Sequence, residues 1–589
     1  MKDSFLRFHI LGIVFAAFAL VIVAQIARIQ TGPQAETLRE NAADYTGYYQ
    51  LLQPVRGQVY DRWGSLLAGN QTVYQVGVDL NQVKNPETIA LAVSVYTGAN
   101  YEDVFAAASQ TPAPDAVYAV LTDFVSAEDI AKLEEFKKQV DAGVIADPKA
   151  KKGATPPNLS GLVWSPHLVR TYPEKNLGSN ILGFVSREGR GYYGVEEKYN
   201  DLLSGSTKEI WIANDPYQVQ SLPAPPEGAS LVLTIDREIQ DSVEKILDQS
   251  ITDTGSASGT IVVVQPETGE ILAMATTPRM DLNKFWEYGQ VFPGSTPFNR
   301  AVSQAYEPGS VYKVLTMAAA LDSGSVKPNT EFLDTGVFQI GGIYIQNWNL
   351  AAWGPQDMLG CMQHSLNVCL AWVASKTGAK TFYQYMDQFG IGHLTGVDLG
   401  GEVPGRLKHP GDGDWYEADL GTNAFGQGVS ATPLQMISAI SAVANDGKMI
   451  TPHVVRAVID KGHQYEVTPQ VAGMPISAKT AKKLTDMLVV SLKQESSSAL
   501  VPGYEVAGKT GTAEIPTVTG YTSGQTNASF VGWGPADDPK FVVYVWLEKP
   551  STSPWGSVVA APVFSQVVQR LVVLMDIPPD EVRTALTSR

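Results

Sequence analysis

The sequence predicts an α/β protein in three parts: an apolar N-terminal helix, a mixed α+β segment, and a larger domain with a mainly antiparallel sheet flanked by helices. Three observations carry that reading. An unbroken apolar run, Ile10 to Ala24, opens the chain. A Pro-rich stretch, Pro223-Ala-Pro-Pro-Glu-Gly228, divides a loosely patterned half from a densely patterned one. Two hairpin signatures then bracket a series of helical segments, which brings strands from both ends of the domain into one sheet. With 589 residues the chain is too long for one ordinary core, so several folded units are expected. The boundaries read as 1–29 for a short tail and anchor, 30–225, 226–575, and a 576–589 tail.

Taken in order, the apolar run comes first. Its fifteen residues span about 22 Å as a helix, so a bilayer crossing must recruit Phe5–Phe8 and Ile26–Ile29. A cleaved secretory signal is the rival reading, but its best small-x-small site, Ala17-Phe18-Ala19, lies inside the run rather than after it. The expectation is an uncleaved single-pass anchor in the plasma membrane. Either reading exports the rest of the chain. Lys2 and Arg7 favour a cytoplasmic N-terminus, while Arg28 and Arg39 lie near the other end of the run.

In the second part, Ser126-Ala-Glu-Asp129 has the form of a helix start, and Ile130, Leu133 and Phe136 recur at near-helical spacing through Val140. Asp147 to Asn158 reads as an exposed loop. Beyond the Pro-rich stretch, Gly259–Val264 and Glu270–Ala275 form a hairpin around Pro266-Glu-Thr-Gly269. Ala528–Trp533 and Phe541–Leu547 form a second, around Ala536-Asp-Asp-Pro539. Ser310–Leu321, Asp357–Lys376, Thr381–Phe389 and Pro433–Asn445 read as helices between them.

Composition narrows the function classes. The chain is 44% apolar and 17% charged, with a formal net charge of −17, which argues against a nucleic-acid binder and fits an acidic, solvated surface. Its two cysteines, Cys361 and Cys369, fall eight apart in a stretch that reads as one helix. A helix would put their Cα atoms about 12 Å apart, beyond the roughly 4.4–6.8 Å a disulfide needs, so they are expected not to pair.

The seven histidines show no His-x-x-x-His spacing, and there is no Cys-x-x-Cys pair or Gly-x-Ser-x-Gly elbow, so no metal is expected. His364 precedes Ser365 directly and would point away from it on a helix. Hydroxyl chemistry therefore needs another base. Ser310-Val-Tyr-Lys313 follows Glu307-Pro308-Gly309, where a helix should begin, and residues i and i+3 share a helix face. The helix N-terminus adds free N–H groups and positive potential for a developing oxyanion. A lysine serves as base only with a depressed pKa. Alone the motif is weak, since Ser242-Val-Glu-Lys245 also fits it on what reads as a solvated helix face.

Company lifts Ser310 above that rival. Ser365-Leu366-Asn367 offers a relay hydroxyl and an amide for a substrate carbonyl. Lys509-Thr510-Gly511-Thr512 offers a cation, two hydroxyls for a substrate carboxylate, and a glycine that lets a peptide approach a strand edge. In this order the three motifs are those of penicillin-binding proteins and class A β-lactamases.

The chain resembles a class B penicillin-binding protein over nearly its whole length. Arg56-Gly-Gln-Val-Tyr-Asp61-Arg62-Trp-Gly64 is similar to that family's first pedestal motif, with Trp63 where asparagine is usual. Arg170-Thr-Tyr172-Pro173 and Gly191-Tyr-Tyr-Gly194-Val-Glu196 resemble the later ones, and no chemistry is assigned to any of them. Leu233-Thr-Ile-Asp236, Tyr306-Glu-Pro-Gly-Ser310, Gly426-Gln-Gly428 and Thr432-Pro433 resemble stretches of its catalytic domain. Leu366 departs from the serine or cysteine common there.

The resemblance implies the penicillin-binding transpeptidase fold behind a pedestal domain, and an enzyme that cross-links peptidoglycan stem peptides without a cofactor. Lys313 would take the proton of Ser310, which would attack the penultimate carbonyl of a D-alanyl-D-alanine end. The N–H groups of Ser310 and Thr512 would form the oxyanion hole. Ser365, with Lys509, would protonate the leaving D-alanine, Asn367 would orient the peptide, Thr510 and Thr512 would hold its terminal carboxylate, and Gly511 would admit its backbone. β-Lactams would acylate the same serine. A separate polytopic glycan polymerase of the shape, elongation, division and sporulation (SEDS) family is the implied partner. The alternatives are a D,D-carboxypeptidase or β-lactamase, or a penicillin-binding receptor that regulates its polymerase.

Overall fold

The computed structural model describes residues 2–32, 35, 47–52, 54–113, 116–144, 157–213, 226–495, 497–517 and 520–587. Most of the loop expected over Asp147–Asn158, and the first half of the Pro-rich stretch, lie outside them. Two compact units emerge: residues 1–55 with 205–228, and residues 56–204 with 229–589.

In the first unit, helix α1 runs over Lys2–Thr31, about 45 Å at 1.5 Å per residue. Phe8–Thr31 has a mean hydropathy of 2.7, and none of that apolar stretch is buried among the described residues. The unit also holds the antiparallel pair β1 (Gly47–Leu52) and β6 (Lys208–Ala213).

The second unit is built on two sheets. One includes β2 (Val59–Tyr60), β3 (Leu66–Asp79), β4 (Tyr118–Val125) and β5 (Leu162–Thr171) from the first half of the sequence. It continues through β7 (Ser230–Leu233), which runs parallel to β2 with Val59 opposite Leu231, to β10 (Val455–Asp460) and β11 (His463–Glu466). Chain from before and after residue 226 thus shares one hydrogen-bonded sheet. The helix expected after Ser126 is α2, Ala127–Asp141, whose first turn is capped as its sequence requires: the Ser126 hydroxyl accepts from the Asp129 N–H.

Beside this sheet the three pedestal motifs converge on one buried carboxylate. Arg56 and Arg170 both pair with Glu196, at 2.7 and 2.6 Å, and Arg170 also donates to the Gly57 carbonyl. Asp61 is buried as well, accepting from the N–H groups of Trp63 and Ser65. These residues knit the fold together.

The other sheet is the five-stranded one expected from the paired hairpins. Its order is β9 (Ile271–Thr276), β8 (Ser258–Val264), β14 (Phe541–Glu548), β13 (Gly520–Gly534) and β12 (Ala507–Thr517), each neighbour antiparallel. Strands β8 and β9 are buried throughout, because side chains of period two feed a helical layer on each face. Val262, Val264, Tyr544 and Trp546 pack with α4 (Lys313–Asp322) and α7 (Pro433–Ala444). Ile261, Val263, Val543 and Val545 pack with α3 (Arg237–Thr254) and α9 (Ala561–Leu574). Strand β12, which carries Lys509–Thr512, is left at the edge.

One expectation is overturned. Asp357–Lys376 is not one helix but two, α5 (Met358–Gln363) and α6 (Asn367–Thr377), with α8 (Ala478–Gln494) packed alongside α5. Between them Ser365 adopts a left-handed φ of +53°, and the chain doubles back so that the Leu366 N–H donates to the Cys361 carbonyl. The helical rise assumed for Cys361 and Cys369 does not apply across that break. Their Cα atoms are 6.0 Å apart and the two cysteines are disulfide-bonded.

Candidate active site

Ser310 sits in a 3₁₀ turn, Gly309–Tyr312, that runs directly into α4 at Lys313. The expected helix thus begins with a tighter turn, in which residues i and i+3 eclipse, so Ser310 and Lys313 stand on one edge. Gly309 makes this turn possible. Its φ is +62°, its N–H donates to the Gly426 carbonyl, and a Cβ there would lie 2.8 Å from the Thr512 carbonyl oxygen. Strand β12 therefore passes directly over the turn, and a Cβ on Gly511 would meet Val311 at 2.9 Å.

Lys313 is wholly buried. Its side-chain nitrogen donates to the Ser365 carbonyl at 2.7 Å, the Ser365 hydroxyl at 3.1 Å and Asn367 Oδ1 at 2.7 Å. No hydrogen bond joins Lys313 to Ser310 among the described residues; the lysine is held from the far side, by the break between α5 and α6. Burial, and then the charge of Lys509, hold its pKa well below the usual lysine value. Lys509 is itself pushed down to about 8 by burial, opposed by Glu495 just past the end of α8. It reaches Thr510 Oγ1 at 3.3 Å, while Thr512 Oγ1 accepts from the Gly556 N–H at 3.0 Å.

The sequence-predicted residues are therefore brought together as three walls: the Ser310–Lys313 turn, the Ser365–Asn367 break and the edge strand Lys509–Thr512. The rival triplet is not. Lys245 is exposed on α3 and pairs with Asp241.

The arrangement also has family counterparts. Residues 259–569 match the penicillin binding protein transpeptidase domain family, and residues 51–220 match the penicillin-binding protein dimerisation domain family. The chain belongs to the class B penicillin-binding proteins. It is 30% identical over 565 residues to stage V sporulation protein D of Bacillus subtilis, covering 93% of this chain and 83% of that one. It is also 30% identical to a probable peptidoglycan D,D-transpeptidase, PbpC, of Pseudomonas aeruginosa, over 70% of this chain and 72% of that one. The crystal structure of penicillin binding protein 2X from Streptococcus thermophilus superposes with a TM-score of 0.72 at 23% identity, covering 89% of this chain and 80% of that one, which shows the shared fold.

In this penicillin-binding protein other residues join the site that spacing alone does not reveal. Glu307, three residues before Ser310, accepts from the Gly428 N–H at 3.0 Å and from the Tyr521 hydroxyl at 3.0 Å. Burial raises its carboxyl pKa against those two bonds. At the opposite side, the Trp348 indole N–H donates to the His364 carbonyl, and its ring meets that of Trp555 edge-on at 5.4 Å. Both tryptophans are exposed. Only the Glu-Pro-Gly-Ser and Gly-Gln-Gly runs hinted at the first group, and nothing local signalled the second.

Proposed function

We propose that this chain is a serine D,D-transpeptidase that cross-links peptidoglycan stem peptides through an acyl-enzyme on Ser310, and that β-lactams acylate the same serine. One observation carries the reading: a buried lysine one turn after Ser310 is held by oxygens of Ser365 and Asn367, with Lys509 on the strand beyond. Burial and the second cation favour the neutral amine that a general base requires. Lys313 accepts the Ser310 proton as Oγ attacks the penultimate carbonyl, and the N–H groups of Ser310 and Thr512 hold the oxyanion. Ser365, with Lys509, returns a proton to the departing D-alanine. Asn367 orients the peptide. Thr510 and Thr512 receive its terminal carboxylate along the edge of β12, where Gly511 lets the peptide approach. A neighbouring stem's amine then takes the acyl group.

Helix α1 anchors the chain in the plasma membrane as a single pass, with residues beyond Arg28 outside the cytoplasm. The buried Cys361–Cys369 disulfide supports that side, since disulfides persist in oxidising, extracytoplasmic surroundings. Residues 30–225 serve as pedestal and 226–575 as transpeptidase domain, and a SEDS-family glycan polymerase is the partner. Because Arg56 and Asp61 are internal, such a partner must read other pedestal residues.

The test is the fate of the acyl group. A stem pentapeptide supplied with an acceptor amine should yield D-alanine and a cross-linked dimer. D-alanine with hydrolysed tetrapeptide alone would mean a carboxypeptidase, and no turnover with stable penicillin labelling would mean a receptor.

A further inference from the structure

The break that holds Lys313 lies wholly inside the ring closed by Cys361 and Cys369. That ring contains the end of α5, the left-handed Ser365, and the first turn of α6. A left-handed φ at a residue with a Cβ is unfavourable by itself and persists only where the surroundings enforce it. Here the enforcing contacts besides the disulfide are non-covalent: the Trp348 indole N–H donates to the His364 carbonyl, Asn367 Nδ2 to the Gln346 carbonyl at 3.2 Å, and the Val368 N–H to Asn347 Oδ1 at 3.2 Å. The Ser365 N–H reaches the Met362 carbonyl at a long 3.3 Å, and Leu366 donates to Cys361 at 3.0 Å. Leu366 is fully buried, as are both cysteines. All three acceptors of the Lys313 amine come from residues 365 and 367. The disulfide is thus the one covalent restraint on the segment that places the base.

We propose that the Cys361–Cys369 disulfide is a positioning element of the acyl-transfer site, so that its reduction slows acylation of Ser310 far more than it weakens reversible ligand binding. This rests on the assignment of Ser310 and Lys313 above. The redox step is a thiol–disulfide exchange: a dithiol gives two electrons and two protons, its own sulfurs join, and Cys361 and Cys369 become two thiols. Released, the reversal relaxes Ser365 toward ordinary backbone angles and its carbonyl, its hydroxyl and the Asn367 amide shift together. The Lys313 amine follows them. A displacement near 1 Å of a group that must meet a reacting proton costs on the order of 10²-fold in rate. Ligand contacts on β12 lie outside the ring and keep most of the reversible binding, while the contact of Asn367 weakens with the shift.

The experiment uses the full chain in detergent, oxidised, or reduced with dithiothreitol and desalted under argon, with the thiol count read by intact mass. Stopped-flow acylation by a fluorescent penicillin then separates the acylation rate constant from the binding constant. The oxidised protein should label at Ser310; absence of that label would defeat the site assignment itself. Given that label, the reduced protein should acylate at least tenfold more slowly, with a loss of binding several times smaller than the loss of rate, and reoxidation should restore the rate. The C361A/C369A double variant should reproduce the reduced rate, and if it does not fold, the reduced wild type decides alone. Equal rates in the two redox states would overturn the proposal. So would equal losses of rate and binding, or two free thiols in protein purified aerobically.

Discussion

Replacing Lys313 tests the chemistry where the structure is most explicit. An ordinary lysine, with a pKa of ~10.4, is neutral in about one molecule in 2,500 at pH 7. Each unit of depression raises the neutral fraction about tenfold, equivalent to about 1.4 kcal/mol. Lys313 has no exposed surface and faces the cation of Lys509, and both lower its pKa. The neutral amine is the active form, so acylation should rise with pH up to the folded pKa and be lost as pH falls through it. Lys313→Ala removes that base and should cut the acylation rate by about 10²–10⁴-fold. It also strips the Ser365 and Asn367 oxygens of their donor, at about 1–3 kcal/mol. Lys313→Arg keeps a charge but cannot accept a proton, so it should be as slow as alanine and show no alkaline rise. The assay is the acylation rate of each protein with soluble penicillin from pH 6 to 10, alongside its thermal midpoint. Near-native acylation by Lys313→Arg would refute the argument, because a fixed cation would then suffice.

Lys509 gives a stability prediction of definite sign. It loses its proton near pH 8 when folded and near ~10.4 when unfolded, so between those values the unfolded chain holds more protons and stability rises with pH. Lys509→Met should therefore be more stable than wild type at pH 7, by up to about 3 kcal/mol, with the difference gone by pH 10.5 in denaturant titrations. Glu196→Ala leaves two buried guanidinium groups without their carboxylate and should cost about 3–5 kcal/mol, seen as a lowered thermal midpoint. Gly309→Ala places a Cβ 2.8 Å from the Thr512 carbonyl at a left-handed φ, and should slow acylation about 10²-fold by parting the nucleophile turn from β12. Unchanged kinetics would mean the strand shifts freely.

Much of the site was legible because its chemistry is carried by contiguous triplets. Ser310 and Lys313 had to share an edge whether the turn was α or 3₁₀, and Lys509–Thr512 lies on a strand with alternating burial next to an evident hairpin. The hairpins also predicted the antiparallel sheet, since a strand with helices on both faces reads as a continuous apolar run, as Ile261–Val264 does. What escaped the sequence was decided by tertiary contacts. Nothing around Ser365 marks it as a left-handed break, because no glycine or proline stands between Cys361 and Lys376 to announce it. The error about Cys361 and Cys369 follows from that single unread reversal. Similarly, Lys313 finds its acceptors 52 and 54 residues away, and Glu307 meets Tyr521 across 214. The parallel pairing of β2 with β7 is equally long in range, and it ties chain on both sides of the Pro-rich stretch into one sheet.

The measurement that bears most directly on the central claim is where penicillin attaches. Intact mass of the full chain after a short incubation should show one added penicilloyl group. Peptide mapping should place it on Ser310, and Ser310→Ala should show no adduct at an unchanged thermal midpoint. An adduct on Ser242, Ser365 or any other residue, or undiminished labelling of Ser310→Ala, would contradict the account.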